Sequence, residues 1–406
     1  MVRQYKPKLK VSDNLIAVYN DLSLLDKLLP LLIICCIVLG IIISVYVPSS
    51  REAFHKASIL NVSFPLAIGL IVMMVPPLCK VEWENFKQFF NLKLYLQPIL
   101  ISIIINWVIC PFIMFGLAWL TLFDQKEYRE GIIMIGLARC IAMVLLWNEI
   151  ADGDNTLCAI LVLINSLLQI VLYAPYQIFL CYAITGDYNL SVNAGVTYTA
   201  VARSVAFFLG VPLVIGLALR LFGVFVTGLK FYESKMLPII GPFSMLGLLY
   251  TIIVIFIEKG DSFIDEIGTS IRCFVPLVVY FPLTFFACFF FVRWFTSKYR
   301  VDVEEDEGAE ETSKLLCGCE QEKESNPEKW SSNCSAYYAS TVTQSFTAAS
   351  NNFELSIAVA ISLYGNGSRQ AIASTYGPLL EVPILLILCF VAKYFKVKFI
   401  WADIKD

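Results

Sequence analysis

Two apolar segments of this 406-residue chain are interrupted by groups that can do chemistry. The first runs from Gly131 to Ile150 and contains Gly136-Leu-Ala-Arg139-Cys140-Ile-Ala. The second runs from Ser340 to Tyr364 and contains Ala349-Ser-Asn351-Asn352-Phe-Glu354-Leu-Ser. Each is long enough to cross a bilayer. An arginine, a cysteine and a glutamate at mid-depth are expensive, which marks them as candidate functional groups. A thiolate at Cys140 is a soft ligand that selects soft metals and metalloids, and the guanidinium of its neighbour Arg139 is expected to favour that form. The alternative for Cys140 is a buried structural thiol. Burial and a nearby cation act on Glu354 in opposite directions, and a carboxyl balanced between them can take and release a proton. Its alternative is a permanent ion pair with Arg139 that locks two helices. Glu381, between Pro378 and Pro383, is read either as a second proton-coupling group or as a carboxylate satisfied by freed backbone groups.

Asn106 beside Trp107, Asn148 beside Trp147, Asn165 and Gln169 supply further mid-span polarity. Buried amides at helix interfaces usually act as packing glue. Gathered around two broken helices, they fit a neutral hydroxylated substrate that needs donors and acceptors. Cys317, Cys319 and Cys334 lie in a polar stretch, either as a cytoplasmic soft-metal site or as incidental thiols. The single histidine, His55, gives no basis for a histidine metal site, and no cofactor is expected.

These groups must be positioned by membrane helices. The chain is 58% hydrophobic and 16% charged, with mean hydropathy +0.73, far from a soluble domain with about a quarter of its residues charged. The apolar runs do not alternate, which excludes a β-barrel, and no basic stripe points to nucleic acid. The pattern predicts an all-α polytopic membrane protein with ten spans, near 28–47, 62–79, 97–119, 130–150, 157–182, 202–226, 236–258, 271–294, 340–364 and 369–395. With the N-terminus inside, 21 of the lysines and arginines fall on the inner side and 8 outside, leaving Arg139 within a span. That bias places both termini in the cytoplasm.

Ten spans divide into two fives. Sliding the chain by 212 residues lays Arg139 on Asn351, Cys140 on Asn352, and Gln169 on Glu381. A unit with an odd number of spans must have its second copy inverted, and inverted repeats with broken helices at the midplane are a transporter architecture. The expected organisation is a cytoplasmic tail over 1–27, a first five-helix repeat over 28–182, and three helices of the second repeat over 202–294. An acidic cytoplasmic loop over 295–339, two last helices over 340–395 and a cytoplasmic tail over 396–406 complete it. The broken spans four and nine should cross, bringing Cys140 near Asn351, Asn352 and Glu354.

The stretch Tyr128 to Asn148 resembles the fourth span of the arsenical-resistance permeases, an arsenite efflux family. Ser350 to Gly365 resembles the ninth span, and Gly377-Pro-Leu-Leu-Glu-Val-Pro383 the tenth. The acidic loop with its Cys-x-Cys is similar to the fungal branch. The resemblance, to the bile-acid/arsenite/riboflavin transporter superfamily, implies ten spans in two inverted repeats. It implies that Cys140 and Glu354 correspond to the family's essential cysteine and glutamate. Arg139, Asn106, Trp147, Asn165, Asn351 and Glu381 correspond to other positions of its polar pathway. The expected activity is export of arsenite, and of antimonite, through the plasma membrane in exchange for protons, with no enzymatic step and no ATPase motif. The rival expectations are a sodium-coupled importer of organic anions on the same fold and a non-transporting receptor, which ten repeated spans disfavour.

Overall fold

The computed structural model describes residues 24–47, 58–59, 62–80, 92–141, 143–186, 196–265, 267–306, 336–365, 368–399 and 401. His55, Cys317, Cys319 and Cys334 lie outside the described residues, as does most of the acidic loop on which the likeness to the fungal branch rests. The described chain is helical apart from a hairpin of two-residue strands, β1 (Ser58–Ile59) and β2 (Val62–Ser63), paired antiparallel.

The helices follow in order. α1 is Leu24–Tyr46 and α2 is Phe64–Lys80. α3 (Leu92–Ile104) passes through a π-turn at Ile105–Ile109 into α4 (Cys110–Thr121). α5 is Lys126–Leu137 and α6 is Met143–Ile150. α7 (Asn155–Ile178) ends in a second π-turn, Phe179–Ala183. α8 is Tyr198–Phe208 and α9 is Gly210–Thr227. The short α10 (Leu229–Phe231) and α11 (Leu237–Ile240) lead into α12 (Pro242–Asp265). α13 is Ile267–Arg272 and α14 is Phe274–Asp306. α15 is Tyr338–Ala349, α16 is Phe353–Tyr364, α17 is Arg369–Ser374 and α18 is Tyr376–Lys398.

Among the described residues six continuous helical stretches are long and apolar enough to cross a membrane: Tyr95–Thr121, Asn155–Ala183, Tyr198–Thr227, Leu229–Glu258, Phe274–Thr296 and Arg369–Lys398. Leu31–Tyr46, Phe64–Lys80 and Phe353–Tyr364 are shorter apolar helices. The molecule is a multi-pass helical membrane protein. The segments expected near 130–150 and 340–364 are not single rods, since each divides into two half-helices. The helix expected to end near residue 294 runs on to Asp306, into the stretch assigned to the loop.

Proline explains one irregularity near the centre. The ring of Pro111 would press on the carbonyl of Trp107, four residues earlier. The helix widens there into the Ile105–Ile109 π-turn, which contains Asn106 and Trp107.

The helices form two packed groups. α12 lies against α1 and α2, and α9 lies against α2. Their contacts are made by small residues and apolar side chains: Gly40 faces Phe256, Gly216 faces Leu78, and Gly247 faces the backbone of Met73. The second group contains α3 to α8 and α14 to α18, with α5 on α17, α14 on α15 and α18, and α8 on α7 and α16. At one end of this group, Arg272 holds Asp124 through two bonds of 2.7 and 3.0 Å, and Arg369 pairs with Glu127 at 3.3 Å. The Arg272 guanidinium keeps the Asp124 carboxyl at about 2, below its ordinary 3.8. The pair is therefore fully formed above that ordinary value and weakens only as pH falls through about 2. At the other end, Asp152 meets Lys396 at 3.0 Å and Lys393 at 3.5 Å. There the Tyr338 hydroxyl donates to the Ala151 carbonyl at 2.8 Å.

The close approach at Gly247 makes a measurable demand. A Cβ there would sit 2.8 Å from the Met73 nitrogen, whereas one at Gly116 meets nothing within 4 Å. Gly247→Ala is expected to lower stability by about 1–3 kcal/mol through overpacking. Gly116→Ala is expected to be neutral or to stabilise by up to ~1 kcal/mol through helix propensity. Thermal unfolding of the purified protein in detergent checks both.

Candidate functional site

The two helix breaks touch. α5 ends where Ala138 turns extended, at φ −82 and ψ 114. α15 ends where Ser350 does the same, at φ −91 and ψ 142. The freed strands lie antiparallel, with Arg139 bridged to Asn351 and the Asn352 N–H donating to the Ala138 carbonyl at 2.9 Å. α6 and α16 then restart. Two helix N-termini and two helix C-termini thus converge, each with backbone groups that the helices leave unpaired.

Side chains satisfy several of those groups. Cys140 Sγ accepts the Val144 N–H at 3.3 Å, and Asn352 Oδ1 accepts the Leu355 N–H at 3.0 Å. Glu381 of α18 reaches the second break. Ser350 Oγ donates to its carboxylate at 2.6 Å, and the Asn351 N–H lies 3.3 Å from both oxygens. Gln169 of α7 donates to the Arg139 carbonyl at 2.8 Å. Cys140 thereby differs from other thiols of the described chain. Cys79, Cys110, Cys158, Cys273 and Cys389 each place the sulfur as a donor to a backbone carbonyl, whereas Cys140 receives a backbone N–H.

One expectation is overturned. The Arg139 guanidinium does not lie beside the Cys140 thiol, nor does it pair with Glu354. Its Nη2 donates to the Gly136 carbonyl and, at 3.1 Å, to the Tyr280 hydroxyl, with Cys110 as a further neighbour. The cause is the backbone. Residues 138–140 are extended rather than helical, so successive side chains point to opposite sides. Sequence adjacency, read as proximity, therefore places the two groups apart. Tyr280 escaped the sequence reading because it sits in an aromatic-rich span with no polar neighbour to mark it.

The remaining candidates occupy the same region. Glu354 is on the first turn of α16, 4% exposed, and makes no ion pair among the described residues. Glu381 and Glu354 are both electrostatic neighbours of Cys140, and Ser350 is a side-chain neighbour. Trp107 Nε1 donates to Asn165 Oδ1 at 3.0 Å. Asn106 Nδ2 donates to the Ser102 carbonyl and hydroxyl at 2.9 Å, and its Oδ1 has no protein partner. Trp147 is buried on α6, and Asn148 accepts from Thr343 at 2.6 Å. Several buried polar atoms here have no protein partner: both amide atoms of Asn351, Asn352 Nδ2, Asn165 Nδ2, Gln169 Oε1, Trp147 Nε1, and Arg139 Nε and Nη1. Buried polar groups are ordinarily hydrogen-bonded. Such a cluster of donors and acceptors matches a polar ligand.

The family model described as the Sodium Bile acid symporter family matches residues 67–266. The chain is 37% identical over 370 residues to the arsenical-resistance protein Acr3 of Corynebacterium glutamicum, covering 91% of this chain and 89% of that protein. It is 24% identical over 388 residues to Acr3 of Alkaliphilus metalliredigens, covering 93% and 94%. It is 27% identical over 404 residues to an uncharacterized transporter of Synechocystis, covering 95% and 92%. With this extent of identity, and with the broken-helix motifs inside the matched region, the chain belongs to the Acr3 arsenical-resistance family of membrane transporters.

Proposed function

We propose that the protein exports arsenite, and antimonite, from the cytoplasm across the plasma membrane in exchange for protons. The observation that carries this reading is the crossing. The Cys140 sulfur lies at the N-terminus of one half-helix and Glu354 on the first turn of another, amid buried polar atoms that lack protein partners.

Arsenite at neutral pH is largely an uncharged trihydroxy acid with a thiophilic centre. Cys140, the thiol at the crossing whose sulfur accepts rather than donates, suits the centre, and the unpartnered amide, indole and guanidinium atoms suit the hydroxyls. One thiol rather than three allows release as well as loading. Asn351, Asn352, Asn165, Trp147 and Arg139 are the polar wall, and Asn106 braces α3 beside it. Arg139 contributes its unpartnered nitrogens rather than a charge at Cys140. Glu354 carries the proton, since no cation fixes it as a carboxylate. Glu381 accepts only from Ser350 and Asn351, which supports the role of holding the second break and leaves Glu354 as the principal coupling group.

The cycle follows. Glu354 is protonated from outside as the metalloid leaves. The proton departs inside as the next metalloid loads near Cys140. The group built on α1, α2, α9 and α12 rocks against the group that carries the crossing. Ten crossings in two inverted five-helix repeats, with both termini cytoplasmic, fit this motion. The twelve-residue half-helices Lys126–Leu137 and Tyr338–Ala349 support the repeat, since they start 212 residues apart. So does the antiparallel meeting of the two breaks.

Reconstituted vesicles test the coupling. An imposed pH gradient is expected to drive arsenite movement and a sodium gradient to leave it unchanged. Drive by sodium alone would replace this reading with a sodium-coupled importer. Cys140→Ser is expected to slow arsenite transport by about tenfold or more, equivalent to ~1.4 kcal/mol of lost interaction. Normal export by that variant removes the central thiol from the mechanism. Glu354→Gln is expected to keep arsenite self-exchange and lose export driven by the pH gradient.

Glu381 gives a separable prediction. Glu381→Ala leaves the Ser350 hydroxyl and Asn351 N–H without their acceptor, at about 1–3 kcal/mol per buried group. It is expected to lower the unfolding temperature in detergent. Glu381→Gln keeps an acceptor and is expected to retain the pH response of transport. Loss of that response in Glu381→Gln, with Glu354→Gln unaffected, would exchange the two roles.

A further inference from the structure

One face of α7 carries Asn165, Gln169, Tyr173 and Gln177, spaced by four and all buried. At 1.5 Å per residue this stripe is about 18 Å long. Asn165 and Gln169 serve the crossing. The other two continue away from it, toward the end of the molecule that holds Asp124 and Arg272. The Tyr173 hydroxyl donates to the Met134 carbonyl at 3.3 Å and neighbours Ser356, whose hydroxyl has no hydrogen-bond partner. Gln177 Nε2 lies 3.5 Å from the Tyr364 hydroxyl and 3.6 Å from Met134 Sδ, while its Oε1 is unpartnered. The hydroxyls of Tyr364 and Tyr182 are 2.6 Å apart. Next to them is Glu130 on α5, 4% exposed, accepting from Gln370 Nε2 at 2.9 Å. The proposed cycle has no use for this buried acid or for the tyrosine pair beside it.

The surroundings of Glu130 are specific. Its charged neighbours on α5 are Lys126, Glu127 and Arg129. Arg129 lies over the Trp119 ring at 3.7 Å and donates to the Leu122 and Phe123 carbonyls. On α17, Arg369 is engaged with Glu127 and Gln370 faces the carboxyl. Tyr364 of α16, and Cys181 with Tyr182 of the turn after α7, face it from the remaining elements. Among the described residues Glu130 makes no direct ion pair. An amide N–H donates to a carboxylate and also, more weakly, to the carbonyl oxygen of a protonated acid. Glu130 can therefore gain or lose a proton without breaking its one side-chain hydrogen bond.

The geometry points to Glu130 as a second protonatable group of the exchange cycle, set beside the Tyr182–Tyr364 pair at the outer end of the polar stripe that α7 carries to the crossing. This inference rests on the proton-exchange reading. A proton from the external solution binds the Glu130 carboxylate. It then moves inward from acid to acid, leaving Glu130 a carboxylate again and ending on the Glu354 carboxylate. Gln177 orients the Tyr364 hydroxyl. Intramembrane acids facing a protein interior commonly serve such relays.

The experiment compares two fluxes in reconstituted vesicles, using arsenite as the probe. One is arsenite movement driven by a pH gradient. The other is arsenite self-exchange, which moves no net proton. Glu130→Gln is expected to slow the first by about tenfold or more, as loss of a positioned proton-transfer group does, and to leave self-exchange near the wild-type rate. Tyr364→Phe is expected to give the same split, and Glu130→Asp to recover part of the driven flux. A wild-type protein with no response to pH ends the proton-exchange reading and this inference with it. A wild-type response that Glu130→Gln reproduces overturns the role of Glu130 alone. An equal fall of both fluxes in Glu130→Gln makes the residue a structural brace and overturns the inference too.

Discussion

The structure depends on one constraint: two backbones are cut open inside the helical core, where exposed N–H and C=O groups need partners. An unpaired N–H or C=O costs several kcal/mol in hydrocarbon. The Arg139–Asn351 bridge and the Asn352-to-Ala138 hydrogen bond answer part of this by letting each break pair with the other. Cys140, Asn352, Gln169 and Glu381 answer more of it with side chains. The groups that stabilise the breaks are thus the same groups that line the proposed site. Binding and folding share atoms here, which is why a polar cluster persists in so apolar a chain.

The two helix groups divide the work in a way that follows from their contacts. α1, α2, α9 and α12 approach through Gly40, Gly216 and Gly247. These contacts lie within the group and pack its helices closely, so it is suited to move as one body in the proposed cycle. The group around the crossing is held by bonds between distant parts of the chain: Ser350 to Glu381, Thr343 to Asn148, Trp107 to Asn165 and Arg139 to Tyr280. Directional bonds resist shear, so this group is suited to keep its geometry while the other moves.

Much of this was legible in the sequence because it rests on spacing. The 212-residue offset pairs Arg139 with Asn351, and these are the residues bridged across the breaks. The long apolar runs read directly as helices, since a run of about 20 such residues has few other uses. The direction of side chains was not legible. Arg139 and Cys140 look like partners in a string of letters, yet an extended backbone sends them apart. The environment of Glu381 was readable only as two alternatives, because the freed N–H groups come from a break 30 residues earlier in the chain. Tyr280 carries no local signal, and its role emerges only when α14 packs beside the first break.

The cysteines show how one residue type acquires different duties. A thiol that donates to a helical carbonyl is held as a neutral S–H by its own bond. Cys110, Cys158 and Cys389 are of this kind, bonded to Ala348, Val144 and Trp147 around the same crossing. At Cys140 the direction reverses, because the break exposes the first N–H groups of α6 and the sulfur is the nearest acceptor. A sulfur that accepts from a helix N-terminus has a lone pair held in a fixed direction by that bond. The broken helix sets one buried thiol apart from several, which is the ground for proposing a soft site on that cysteine.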